Sequence, residues 1–242
     1  AHGPIRPFLL TGVHDGRGVV ELEQRLSLEP RVVSIDPNFS VNRWWGERYR
    51  YDPIMNSEPE DYHAVYEVLE EELARPVRYD ALMMHSIIGW NDLPQRIKEL
   101  VYRRVAEGEG LVLVHPQLGM DETDKSLWDL SPIINVPATK LGGRARAIEP
   151  KEAISGAPWR KVAEHYVVSG IPFEALPYPA LRHYRYELAP GAQALVTGVG
   201  GAPVVAVKHY GKGRVVGLGY YNHGLWPSLQ ARRGELNENF RE

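Results

Sequence analysis

The sequence predicts an α/β fold with a mostly parallel central sheet and a C-terminal β-hairpin. Three observations lead there. Residues 7–13, 80–84 and 111–114 are short, nearly continuous apolar runs, the form taken by parallel strands covered on both faces. Residues 58–73 and 91–107 instead repeat their apolar side chains at helical spacing. The apolar stretches 204–209 and 215–220 flank Tyr210-Gly211-Lys212-Gly213-Arg214, a turn suited to an antiparallel hairpin.

The opening of the chain reads strand, turn, helix, strand. Residues 5–13 run into the turn His14-Asp15-Gly16-Arg17-Gly18, residues 19–28 carry a helical period, and residues 31–36 form a second buried run stopped by Pro37. Short connections of this kind make a βαβ unit. Residues 38–56 have no clear period and hold Trp44, Trp45, Tyr49 and Tyr51 among Arg43, Arg48 and Arg50. They read either as an irregular, self-packed excursion or as a lid, because aromatic faces stack on sugar rings and arginines bind carboxylates. The helix over 58–73 sets Tyr62, Val65, Tyr66 and Leu69 on one face. A third strand spans 77–85. The helix over 91–107 opens on Asn91-Asp92 and Pro94 and stops before Gly108 and Gly110, leading into a fourth strand at 111–114. Beyond Gln117 the periodicity loosens. Residues 121–129 are polar with one tryptophan, 133–147 are irregular or β-like, and 172–179 are proline-rich. Residues 183–186 alternate like an edge strand, and 193–197 form a strand before the hairpin.

Composition removes several functions. The chain has 242 residues, 43% of them hydrophobic, enough for one large domain over residues 1–229. Residues 230–242 form a polar tail that reads as the start of a truncated continuation. A net charge of −3 gives no basic footprint for nucleic acid. No apolar run approaches the roughly 18–20 residues that span a bilayer, and the N-terminal residues lack the order of a signal peptide. The cytoplasm is the default compartment. With no cysteine, disulfides, thiolate metal sites and cysteine nucleophiles are all excluded.

The candidate site comes from where histidines fall. His14 follows the run 7–13, His85 follows 80–84, His115 follows 111–114, and His223 follows 215–221. In an open parallel sheet, ligands bind outside the carboxyl ends of the strands, so strand-end residues of neighbouring strands share one crevice. Asp15, Gln117, Tyr221 and Asn222 stand beside these histidines in sequence and complete a ligand-binding set. His115, His85 and Asp15 are the candidates for acid–base work, since imidazole titrates near neutral pH. His14, His85 and His115 are also the candidates for a divalent metal. There is no His-Glu-x-x-His or His-x-His pair, so such a site would be assembled from distant strands. The alternative for each histidine is a local cap on its own strand. Asp121-Glu122-Thr123-Asp124 reads as a solvated helix start or as a holder of a hard cation. Gly12, Gly16 and Gly18 do not make the dinucleotide fingerprint, and no Gly-x-Ser-x-Gly elbow is present.

Four stretches in this order resemble the class I glutamine amidotransferase-like superfamily, and within it the trehalose-utilisation (ThuA-like) family and the related β-galactosidase trimerisation domain. They are Pro7-Phe-Leu-Leu-Thr-Gly-Val-His14-Asp15, the strand from Tyr79-Asp80 to His85, Glu107-Gly108-Glu109-Gly110-Leu-Val-Leu-Val-His115, and Gly211-Lys212-Gly213-Arg214-Val-Val-Gly-Leu-Gly219. His165 through Ile171-Pro172 is similar to a segment these proteins carry before their late strands. The resemblance covers most of residues 5–225. It implies a flavodoxin-like, three-layer sandwich. It also locates a departure: the turn where a glutaminase of this superfamily needs its cysteine here reads His115-Pro116-Gln117-Leu118-Gly119. Amide attack requires a thiolate or an equally activated nucleophile, so the usual amidotransferase route is closed.

Three functions fit these residues. The first is a ThuA-like domain of carbohydrate-related role, binding a sugar or sugar-derived ligand at the carboxyl ends of the strands. The carbohydrate connection is what the resemblance implies. The second is a non-catalytic oligomerisation module of a larger glycosidase-like protein, with some of the tryptophans as interface anchors. The third is a metal-dependent hydrolase or isomerase using the histidine cluster. The expected partners are a small carbohydrate-like ligand and a second copy or a longer chain, with neither nucleic acid nor membrane.

Overall fold

The computed structural model of the chain describes residues 5–11, 31–34, 61–85, 90, 93–114, 126–135, 159–173, 182–183 and 186–221. The first half alternates strands with helices. Strands β1 (Pro7–Thr11) and β2 (Arg31–Ser34) precede helix α1 (Asp61–Ala74), and β3 (Ala81–His85) leads to helix α2 (Gln95–Glu107) and β4 (Gly110–Val114). A short helix α3 (Ser126–Leu130) runs into β5 (Ile133–Asn135). The second half is mostly strand: β6 (Arg160–Lys161), β7 (Arg182–His183), β8 (Tyr186–Leu188), β9 (Gln193–Thr197), β10 (Pro203–Tyr210), β11 (Gly213–Leu218) and β12 (Tyr220–Tyr221). The expected helix at 19–28, the aromatic excursion at 38–56 and the stretch 136–147 lie outside the described residues.

Eight strands form one sheet in the order β2-β1-β3-β4-β11-β10-β9-β6. The first five are mutually parallel, and the last three are joined antiparallel. The fold class read from the apolar runs is therefore the observed one. The hairpin is present as well: Tyr210 pairs with Gly213 across the two-residue turn Gly211-Lys212. Gly211 adopts φ +58°, the left-handed region that glycine enters without a Cβ penalty. The short edge strand β6 consists of Arg160 and Lys161, two cations that discourage pairing with a further strand.

Register explains the core. Phe8 stands opposite Leu82, Leu82 opposite Leu111, and Leu111 opposite Val215, so one row of buried apolar side chains crosses four strands. Helices α1 and α2 cover this face with Leu69, Leu73, Ile97, Val101 and Val105, all essentially inaccessible to solvent. Leu127 and Leu130 of α3 join the same cluster, which turns part of the expected polar segment into a packed helix. Alternate residues of β10 and β11, including Val207, Val216 and Leu218, instead meet a second cluster built around Trp159, Val168, Phe173 and Leu195. Strand β11 is thus covered on both faces, with Val215 in the first cluster and Val216 and Leu218 against the second.

Four expected boundaries move, each for a local reason. Strand β3 begins at Ala81 rather than 77, because the carbonyl of Val77 accepts hydrogen bonds from Arg104 on α2 instead of joining the sheet ladder. Helix α2 begins at Gln95 after Pro94, whose ψ of 140° is extended. Residues 183 and 186 belong to different ribbons rather than one edge strand, since β7 pairs with β12 and β8 pairs with β5. Strand β11 stops at Leu218 because Tyr220 and Tyr221 pair with β7 instead, while Gly219 between them still donates its N–H to the carbonyl of Val204 on β10 at 2.7 Å. A Cβ at Gly219 would lie 2.8 Å from the Tyr186 ring.

Candidate functional site

The parallel strands end together. Thr11 closes β1 opposite Ser34 on one side and His85 on the other. His85 in turn stands opposite Val114, and Val114 opposite Leu218. The five terminal residues thus form one row across the carboxyl edge of the sheet, where neighbouring strands are about 4.8 Å apart. Strand order reverses within that row. From β1 the chain goes to β2 on one side and then to β3 on the other, so the topological switch point lies between Thr11 and His85. A crevice at the switch point is where open α/β sheets bind ligands.

Of the residues chosen from sequence, His85 is on this row, as the last residue of β3. Tyr221 is the last residue of β12, opposite Arg182. His14 and Asp15 follow the end of β1 in sequence, His115 is bonded directly to Val114, Gln117 is slightly further on, and Asn222 and His223 follow β12. These six lie outside the described residues, and so does Asp121-Glu122-Thr123-Asp124. Among the described residues no group of three or more His, Asp or Glu is arranged to hold a metal ion.

Two features of this edge were not chosen from sequence. Thr11 shares the switch point with His85. Strand β7 brings Arg182 and His183 opposite Tyr221 and Tyr220, which begin two residues beyond the row. An extended chain advances about 3.3–3.6 Å per residue, so this ribbon starts within roughly 7 Å of Leu218 along the chain. The strand period of residues 183–186 signalled a ribbon but not its partner.

A well-formed polar cluster among the described residues is at the opposite end. Arg104, Glu109 and Glu72, each about 5% exposed or less, meet where β4 begins rather than where it ends. Of the exposed large side chains, Tyr166 (66% exposed) lies beneath the guanidinium of Arg214, near the start of β11. Neither group belongs to the carboxyl edge. No helix among the described residues is long and apolar enough to cross a membrane.

No protein-family model matches the chain, and no curated protein matches it in sequence. Solved structures do resemble it. A cytoplasmic protein of Salmonella typhimurium LT2 is 16% identical with a TM-score of 0.55, the match covering 95% of this chain and 94% of that one. A second cytoplasmic protein of Salmonella typhimurium is 14% identical with a TM-score of 0.51 over 87% of this chain and 86% of that one. A ThuA-like protein of Parabacteroides merdae is 14% identical with a TM-score of 0.53 over 89% of this chain and 78% of that one. The likeness lies in the fold, and it is the fold that the four sequence stretches resemble.

Proposed function

We propose that this chain is a ThuA-like, carbohydrate-binding domain of the cytoplasm that takes a sugar or sugar-derived ligand at the carboxyl edge of its parallel sheet. The observation that carries the reading is the pairing of Thr11 with His85 at the switch point, in a row that continues to Val114 and Leu218. From this row His115 follows by one peptide bond and Tyr220–Tyr221 by one intervening residue. A hydroxyl, imidazoles, phenols and the amide of Asn222 offer both donors and acceptors, which is the chemistry a polyhydroxylated ligand needs. Asp15 adds an acceptor, and His115 with His85 would move protons if the ligand is turned over. The carbohydrate class rests on the resemblance to ThuA-like proteins.

The test is calorimetric titration of mono- and disaccharides into the wild type, His85→Ala and His115→Ala, with thermal melts to establish folding. At least one sugar should bind, and each substitution should weaken it tenfold or more, equivalent to about 1.4 kcal/mol. A panel with no binding sugar, or binding that neither substitution alters, would overturn the reading. Elemental analysis of the same samples decides the metal question: a near-stoichiometric transition metal lost in His115→Ala would replace direct sugar binding with a metal-centred reading.

A further inference from the structure

We propose that Lys208 is a covalent modification site, an amine that takes an acyl group from acyl phosphates in preference to the other described lysines. The basis is its place in the sheet. The buried row Phe8–Leu82–Leu111–Val215 continues in register to Lys208 on β10, so a side chain with a terminal amine ends a line of apolar ones. Tyr210, two residues on, shares that face of the strand. Its ring meets Tyr102 of α2 edge-on at 5.4 Å, and Tyr102 in turn lies 6.4 Å from the buried Trp90. Lys208 thus stands half-buried at the margin of the main core, its stem along apolar surface and its amine within reach of solvent.

The charged groups that face it from the packed elements are few. Asp129 of α3 is the carboxylate whose charge bears on the amine. Strand β11 places Val215 opposite it, and β9 brings Gln193 and Ala194 against the preceding residues of β10. Strand β8 also packs on β10, but its Glu187 alternates with Tyr186, whose ring lies on Gly219, and so stands on the other side of that strand. Burial outweighs the charge of Asp129, and Lys208 gives up its proton below the ordinary value of 10.5. More of it is then the neutral amine, which is the nucleophilic form.

The other described lysines lack this combination of desolvation and access. Lys98 is only 5% exposed. Nζ of Lys161 lies 3.0 Å from a carboxylate oxygen of Glu164, and Lys212 is exposed in the hairpin turn. In the step at Lys208, the amine lone pair attacks the acyl carbon and the bond from that carbon to the phosphate oxygen breaks. Phosphate departs with the electron pair, and the extra proton on nitrogen passes to solvent. The product is an uncharged amide, which removes from this position the ammonium that burial disfavours.

The experiment treats the full chain with acetyl phosphate to a low extent and follows each lysine by peptide mass spectrometry. At about pH 8, Lys208 should acetylate about threefold faster than Lys212 or Lys161, or more, because a larger share of it is neutral. The advantage should shrink as pH rises toward 10.5, where lysines in general lose their protons, and should vanish in urea. Asp129→Asn, a change at an exposed position, should speed Lys208 further and leave Lys212 unchanged, since it removes the charge that holds the proton in place. Acetylation of Lys208 no faster than that of Lys212 overturns the proposal. An advantage that persists in urea also overturns it, because it would belong to the local sequence rather than to burial in the fold.

Discussion

Arg104 and Glu109 form an ion pair of 2.5 Å, with side chains only 6% and 3% exposed. Glu109 Oε1 also accepts from the backbone N–H of Tyr79. The remaining guanidinium N–H groups of Arg104 donate to the carbonyls of Leu73 (2.6 Å) and Arg75 (2.7 Å), and to that of Val77. Helices leave their last carbonyls without intrahelical partners, and α1 has no basic residue in its own last turn. A side chain of α2 thus caps α1, and the same side chain neutralises the carboxylate that precedes β4.

Arg104→Met should therefore destabilise the protein by about 3–5 kcal/mol, because it strands a buried carboxylate and uncaps a helix at once. Arg104→Met combined with Glu109→Gln should recover part of that loss but not all, since the carbonyls of α1 stay unpaired. Urea unfolding of the four proteins gives the coupling directly. A single substitution costing under 1 kcal/mol would contradict the capping role.

Lys208 lies on β10, and burial lowers its pKa below the ordinary value of 10.5, while the charge of Asp129 partly offsets the lowering. The folded state then binds fewer protons than the unfolded state between the lowered value and 10.5, so stability rises with pH across that window. Below the window the charged ammonium costs stability. Lys208→Met should be the more stable protein at neutral pH, by a fraction of about 1 kcal/mol because solvent screens a half-buried charge. Its advantage should shrink as pH climbs toward 10.5, and Asp129→Asn should widen it. A gap between wild type and Lys208→Met that does not change between neutral pH and the alkaline end counts against this account.

The hairpin turn is seated on α2. Lys212 donates its N–H to the Ala106 carbonyl at 2.9 Å, and a Cβ at Gly213 would lie 2.7 Å from the Glu109 carbonyl oxygen and collide with that of Val105. Those are backbone atoms and cannot swing away. Gly213→Ala should cost about 3 kcal/mol, at the upper end of overpacking effects. Gly191 has φ +75° but open space around it, so Gly191→Ala should cost about 1 kcal/mol, the backbone penalty alone. Denaturation midpoints of the two variants test the order, and equal costs would refute it.

The absence of cysteine makes a negative prediction just as definite. Ammonia release from glutamine should not exceed the rate without protein, because no thiolate is available to attack the amide. Turnover that persists through repurification would overturn it.

Much of the frame was legible because its signals are local. Continuous apolar runs marked β1, β3 and β4, and a glycine-flanked turn marked the hairpin at the correct residues. The rule that ligands collect at carboxyl ends then pointed to His85, which is indeed the last residue of its strand. Element ends were less legible. Val77 and Tyr79 look like strand residues, yet their backbone groups answer to Arg104 and Glu109, partners 27 and 30 residues away. The pairing of β7 with β12 was not legible because a two-residue strand has no periodicity of its own to read.

The sequence by itself determined the fold class, the parallel character of the early strands, the late hairpin and the loss of thiolate chemistry, since each follows from residue type or short-range spacing. Only the tertiary structure decided which strands are neighbours. It inserted β11 beside β4, aligned Thr11, His85, Val114 and Leu218 in one row, and set Arg182 against Tyr221. Those pairings join residues far apart in the chain. They are selected by which apolar rows can be buried together and which backbone groups then find partners, and neither condition is written in any one segment.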